Sequence, residues 1–352
     1  MIAKENFTEE HIRQLQKQSK RDPILLERTV YAFGLLEAIT RVGLPFVFKG
    51  GTCLMLLMEH PKRLSTDIDI IVAPGTDIMH YIDEAAKIFP FLRVEEQKRI
   101  GKNSIEKRHF KFTYNSHIGG AELYILLDIL FEKHHYSKLE DRTIQNELLI
   151  TEPEYLSVKL PSASCILGDK LTAFAPHTTG ILLDQNKNME IMKQFYDVSN
   201  LLDVAEDFEN VKATYFEVVA SEIGYRGIDV SATDCLRDTY EASLCIASRG
   251  KNSAKEYASY VKAIRDLRGH IYAENFSPEV AVLNAAKIIY ATFFILNDEN
   301  YEKISDYQKY AEEKIKNKEL MSLKYLKKAN LEAYAYIIKA DAISFRDIMV
   351  QC

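Results

Sequence analysis

The chain has 352 residues, 47% of them hydrophobic and 27% charged, with a formal net charge of −6. That length is too great for one small core and calls for two domains, and the apolar share is ample for both. The acidic balance excludes a protein that coats nucleic acid through bulk charge, and five scattered cysteines with no C-x-x-C pair argue against a zinc site or a disulfide framework and fit a reducing cytoplasm.

The opening residues, Met1 to Asn6, lack the apolar core of a signal peptide. Thr8 predicts the cap of a first helix, with Glu9 and Glu10 in its first turn. Residues 24–41 predict a second helix, because Leu25, Leu26, Val30, Phe33, Leu36 and Ile39 recur at helical spacing; Gly43 ends it. Residues 45–48 read as a short buried strand, followed by a Gly50-Gly51 turn. Thr52 is expected to cap a helix over 53–59 that stops at Pro61. Residues 68–72 form a strand and 77–89 a helix. Residues 108–114 and 122–131 predict antiparallel strands joined through Gly119-Gly120. After Pro161 the pattern turns helical, over 163–174, over 190–206 and onward to the end, where Tyr334, Ile337 and Ile338 make one stripe. The most apolar stretch, 123–131, is too short to span a bilayer, so a soluble cytoplasmic protein without a membrane segment is expected.

One constellation carries chemistry. Asp67 and Asp69 are one residue apart in a strand, so both carboxylates share a face, with Cα atoms roughly 7 Å apart. Mg²⁺ takes oxygen ligands and is commonly held by one or two carboxylates plus substrate phosphates. Two ions about 3.5–4 Å apart would activate an attacking hydroxyl and stabilise a leaving pyrophosphate. Ahead of the pair, Gly50-Gly51 lets backbone approach a phosphate, the following helix start favours negative charge, and the Thr52 hydroxyl adds a donor. Lys49, Arg63 and Ser65 lie beside these motifs. Asp128 interrupts an apolar strand: it is either a third metal carboxylate or a point where the strand turns to solvent. Residues 98–111 carry Lys98, Arg99, Lys102, Lys107, Arg108 and Lys111 near Phe110, Phe112 and Tyr114, which makes either an RNA-binding stretch or a solvated hairpin with its aromatics in the core.

Phe48-Lys49-Gly50-Gly51-Thr52 followed by Arg63-Leu64-Ser65-Thr66-Asp67-Ile68-Asp69-Ile70 resembles the signature of the AbiEii/AbiGii toxin family, polymerase-β-like nucleotidyltransferases. Gly168-Asp169-Lys170-Leu171-Thr172-Ala173-Phe174 is similar to that family's lysine-bearing helix, and Lys193-Gln194-Phe195-Tyr196-Asp197-Val198 to its later Lys-Asp-x-x-Asp element, with Gln194 in place of the first aspartate. The resemblance implies an α+β fold: a nucleotidyltransferase domain with a small mixed sheet over 1–160, then an α-helical domain over 161–352 that contributes to the active-site cleft. It implies that Lys49, Gly50, Gly51, Thr52, Arg63 and Ser65 bind an NTP, and that Asp67 and Asp69, with Asp128, hold Mg²⁺. Lys170 would contact phosphate, and Asp197 would position a reacting group or act as a base. The implied acceptor is a hydroxyl, in some family members on tRNA, and the implied partner is an antitoxin. Two other readings compete: a metal-dependent glycosyltransferase, which also uses a D-x-D pair but does not call for Gly-Gly-Thr ahead of it, and a non-catalytic nucleotide-binding module.

Overall fold

The computed structural model describes residues 1–97, 106–272, 274–297 and 301–343. The chain forms two compact units, Met1–Ser162 with Gly269–Asn275, and Ala163–Arg268 with Phe276–Cys352.

In the first unit, α1 (Glu9–Ser19) starts at Thr8, whose hydroxyl accepts from His11 N–H, and α2 (Pro23–Arg41) starts at Asp22, whose carboxylate accepts from Leu25 N–H. β1 (Val47–Lys49) leads directly into α3 (Gly50–Leu57) and on to β2 (Asp67–Val72). α4 is shorter than expected, Met79–Ala85. β3 (Arg93–Glu96), β4 (Lys107–Asn115) and β5 (Glu122–Phe131) complete a five-stranded sheet of order β1-β2-β5-β4-β3. β2 and β5 run parallel and the other neighbours antiparallel, so the sheet is mixed. Alternation places Ile68 and Ile70 on one face with Ile125, Leu127, Ile129, Phe110, Phe112 and Tyr114, all at most 1% exposed. Helix α2 packs on β2 and β5. β6 (Leu139–Thr143) and β7 (Ser157–Pro161) form a separate antiparallel pair. The returning segment 269–275 belongs here because its backbone bonds to the approach to β2: Leu64 N–H donates to His270 O and Tyr272 N–H to Lys62 O.

The second unit is helical: α5 (Ala163–Ala173), α6 (Asn188–Val204), α7 (Phe208–Arg226), α8 (Ala232–Ala247), α9 (Ala254–Leu267), α10 (Pro278–Asn297), α11 (Leu326–Ala329) and α12 (Leu331–Ala342). α5 lies close to α7, and a Cβ on Gly168 would meet Val211 O at 2.6 Å, so this glycine serves helix packing. α10 corrects the expectation that no segment is long and apolar enough to cross a membrane: its mean hydropathy is 1.6. It lies among α6, α8 and α12, and 78% of that apolar stretch is buried, the signature of a core helix, apolar all round. In the loop after α5, His177 N–H and Thr178 Oγ1 donate to Asp238 of α8, while His177 Nδ1 lies 2.7 Å from the same carboxylate. His177 Nε2 lies 3.7 Å from Glu256 on α9. The hydrogen bond to Asp238 holds the His177 imidazole above its ordinary range, against the opposing effect of burial.

Candidate active site

Register across the sheet assembles the site. Lys49 of β1 stands opposite Asp69 of β2, Asp69 beside Asp128 of β5, and Asp128 opposite His109 of β4. Directly opposed residues share a face, so four strands present one transverse row: ammonium, carboxylate, carboxylate, imidazole. Two like charges on adjacent strands repel. Here Asp128 is relieved on its far side, where His109 Nδ1 lies 2.5 Å from Asp128 Oδ1. Asp67, two residues before Asp69, shares the face and is about half exposed. On α2, Arg28 Nη2 lies 3.9 Å from Asp67 Oδ1.

The glycines answer to this face. Gly50 has φ +82°, a region costly for any side chain, and a Cβ there would overlap Asp69 Oδ2 and sit 2.7 Å from Cγ. Its bare backbone is therefore what lets α3 begin against the carboxylate. Gly51 behaves differently from the expectation of an open phosphate approach. The space its Cβ would take holds Ser65 Oγ at 2.6 Å and Arg63 Nη2 at 2.8 Å. Gly51, Arg63 and Ser65 thus interlock, with Arg63 only 7% exposed. Thr52 is likewise not the helix cap. The helix starts at Gly50 with Lys49 at the cap position, and the fully buried Thr52 hydroxyl donates to Asp67 O at 2.6 Å. It fastens α3 to the first residue of β2.

Among the described residues no three His, Cys, Asp or Glu side chains converge as a metal cage. The donor set still suits a hard divalent ion: aspartate oxygens on one accessible face, with the Gly50 cradle beside Asp69, leave the remaining coordination positions to phosphate and water. One oxygen of Asp128 is engaged by His109, which leaves the other for that purpose.

The second unit brings Lys170 and Asp197 together. Lys170 Nζ lies 3.1 Å from Asp197 Oδ2 and donates to Gln194 Oε1 at 2.8 Å, with the side chains 11% and 2% exposed for Lys170 and Asp197. Gln194, which stands where the resembling element has aspartate, still accepts from the lysine, but as a neutral group. Phe110, Phe112 and Tyr114 are buried, so they cannot stack on bases; Lys98, Arg99 and Lys102 lie outside the described residues. Sequence reading missed Arg28 and the His109–Asp128 pair. His109 finds its partner through a register between strands that no local pattern states.

A helix that starts on glycine against a pair of strand carboxylates, in a small mixed sheet, is the arrangement that meets the family comparison, which is to a nucleotidyltransferase. The chain belongs to the AbiEii family: the family model described as nucleotidyl transferase AbiEii toxin, type IV TA system, matches residues 35–285. Among solved structures, JHP933 from Helicobacter pylori is similar over 76% of this chain and 92% of its own, at 14% identity and a TM-score of 0.42. A candidate nucleotidyltransferase from H. pylori is similar over 78% and 99%, at 14% identity and 0.44. An antigenic nucleotidyltransferase-like protein from Paracoccidioides brasiliensis is similar over 55% and 88%, at 15% identity and 0.36. No curated protein matches the chain. The family match removes the glycosyltransferase reading.

Proposed function

We propose that this nucleotidyltransferase transfers a nucleoside monophosphate from an NTP to an acceptor hydroxyl, with Mg²⁺ held by Asp67 and Asp69, and that it acts in the cytoplasm as the toxin of a toxin–antitoxin pair. The observation that carries the reading is the Gly50–Asp69 contact: a glycine in left-handed backbone, with no room for a Cβ, seats the start of α3 against the carboxylate row. That helix start favours an anion, and the carboxylates favour a cation, so a metal-bound triphosphate suits both at once. The bound metal would supply charge neutralisation at the triphosphate and at the incoming hydroxyl. The chain's own residues do the rest. Lys49 adds positive charge beside Asp69, Arg63 and Ser65 hold the Gly51 backbone in place, and Thr52 fixes α3 to Asp67. Asp128 reaches the same row with its second oxygen. In the second unit Asp197 orients Lys170, which serves as the phosphate-contacting cation. Catalysis is then mainly positioning and electrostatics.

We propose tRNA as the acceptor, the class used by some members of the family; the family match itself supports only a nucleotidyltransferase toxin. The test is incubation of the purified protein with each α-labelled NTP, Mg²⁺ and tRNA or total cell extract. The expected result is label transferred to RNA with one pyrophosphate released per event, and loss of transfer in Asp67→Asn and Asp69→Asn variants that remain folded. Undiminished transfer in both variants would overturn the assignment. NTP binding without turnover would leave only the nucleotide-binding module. Label on protein alone would reject the RNA acceptor.

A further inference from the structure

Arg28 stands ahead of the family-matched segment and belongs to none of the motifs above. It sits on α2, its side chain 35% exposed, with Nη2 3.9 Å from Asp67 Oδ1. That distance is beyond hydrogen bonding, and its Nε is buried with no hydrogen-bond partner among the described residues. An ion pair this exposed and this long adds little to the stability of a fold, and an unpartnered guanidinium nitrogen subtracts from it. A structural role for the side chain is therefore weak. What the geometry provides instead is a planar cation with uncommitted donors at the edge of the carboxylate face. Guanidinium matches phosphate oxygens two at a time.

We propose that Arg28 is a further nucleotide-binding residue of this site, whose guanidinium pairs with Asp67 when the site is empty and passes to a phosphate oxygen of the incoming NTP. The inference rests on the proposed nucleotidyl transfer at Asp67 and Asp69. Its consequence is a pair of opposite effects. Arg28 attracts the triphosphate, yet in the empty protein its positive charge beside Asp67 opposes a divalent cation. Removing it weakens nucleotide binding while leaving cation binding no weaker.

Titration calorimetry on the full chain reads both. A non-hydrolysable NTP with an α,β-methylene bridge is titrated in EDTA, and Mg²⁺ is titrated separately without nucleotide. Relative to wild type, Arg28→Ala is expected to lose about tenfold or more in nucleotide affinity, the value of one charge-assisted hydrogen bond. Arg28→Lys recovers part of that loss, since it restores the charge without the fork. Mg²⁺ affinity in Arg28→Ala stays equal or rises. Nucleotide affinity unchanged in both variants overturns the proposal. Weakening of Mg²⁺ and nucleotide together also overturns it, because that marks damage to the site as a whole. If Arg28→Ala does not fold, Arg28→Lys decides alone: equal affinity to wild type at a site that Asp67→Asn perturbs rejects it. A wild-type protein that binds no NTP in a further titration at saturating Mg²⁺ refutes the transfer reading itself, and this inference falls with it.

Discussion

Replacing Gly50 with alanine isolates the feature on which the site depends. Gly50 and Gly75 share the same backbone region, φ +82° and +80°, so each alanine carries the left-handed penalty of about 1–2 kcal/mol. Their surroundings differ. Around Gly75 nothing lies within 4 Å of the added Cβ, whereas at Gly50 the methyl overlaps Asp69 Oδ2 and sits 2.7 Å from Cγ and 2.9 Å from Cβ. Rotation of the carboxylate alone does not clear the Asp69 Cβ, so the side chain must leave its rotamer and the start of α3 must shift. An off-rotamer side chain adds about 0.5–1.5 kcal/mol, which brings Gly50→Ala to roughly 1.5–3.5 kcal/mol. The functional loss is larger, because displacing a reacting group by about 1 Å costs on the order of a hundredfold in rate. Urea denaturation of both variants, with transfer measured at saturating NTP, separates the two contributions. The expected pattern is a folded Gly50→Ala with transfer down about a hundredfold, beside a Gly75→Ala that is mildly destabilised and fully active. Wild-type transfer in Gly50→Ala, or equal destabilisation in the two variants, would refute the argument that this glycine exists to admit Asp69.

The remaining expectations concern groups already fixed by geometry. Asp197→Ala leaves Lys170 charged in a buried setting and should destabilise the protein by about 3–5 kcal/mol, with the Lys170→Ala, Asp197→Ala double variant less destabilised than the sum of the singles; additive losses in denaturation would show that the pair is not coupled. Thr52→Val removes the donor to Asp67 O and should lower stability by about 1–3 kcal/mol, while Thr52→Ser retains most of it; a loss of NTP affinity without loss of stability would return the hydroxyl to the substrate. His177, held above its ordinary imidazole range of 6.5 by Asp238, binds its proton more tightly folded than unfolded. Its contribution is complete below 6.5 and is lost as pH climbs through the raised value, so the melting temperature should fall as pH rises above 6.5 by more in wild type than in His177→Gln. Parallel pH profiles would remove His177 from the account.

What the sequence made legible was whatever local periodicity encodes. Alternation in Asp67-Ile68-Asp69-Ile70 alone set two carboxylates on one face and two isoleucines on the other, and the structure keeps both. Helical spacing located α2 and α12, and Thr8 capped α1 as its chemistry required. β3 and β6 escaped because Arg93–Glu96 and Leu139–Thr143 are mostly charged and have no buried residue, so their pairing carries no apolar alternation. α10 was passed over because its polar residues, such as Asn284 and Lys287, break the apolar run in the sequence while helix burial tolerates them: Lys287 Nζ donates to Asp203 at 2.8 Å.

At the site, residue type and tertiary pairing carry different information. A hydroxyl, a glycine and a guanidinium near a D-x-D pair are all chemistry a phosphate would use, and by residue type Thr52, Gly51 and Arg63 point to substrate. Residue type cannot say which groups the protein has already spent on itself. The buried Thr52 hydroxyl is committed to Asp67 O, and Gly51 is filled by Arg63 and Ser65. Conversely, Arg28 lies 39 positions before Asp67 on a helix read only for its apolar stripe, and its uncommitted donors become visible only when α2 is seated on the sheet. A group whose polar atoms are satisfied within the fold must exchange a partner before it binds substrate, and satisfaction is a property of tertiary pairing. In the pairing that the structure shows, Gly51, Arg63 and Ser65 pack together and Thr52 bonds to the start of β2, which makes these residues a frame for the loop. Outside that frame stand the guanidinium of Arg28, whose Nε has no hydrogen-bond partner among the described residues, and the Asp128 oxygen that His109 does not engage.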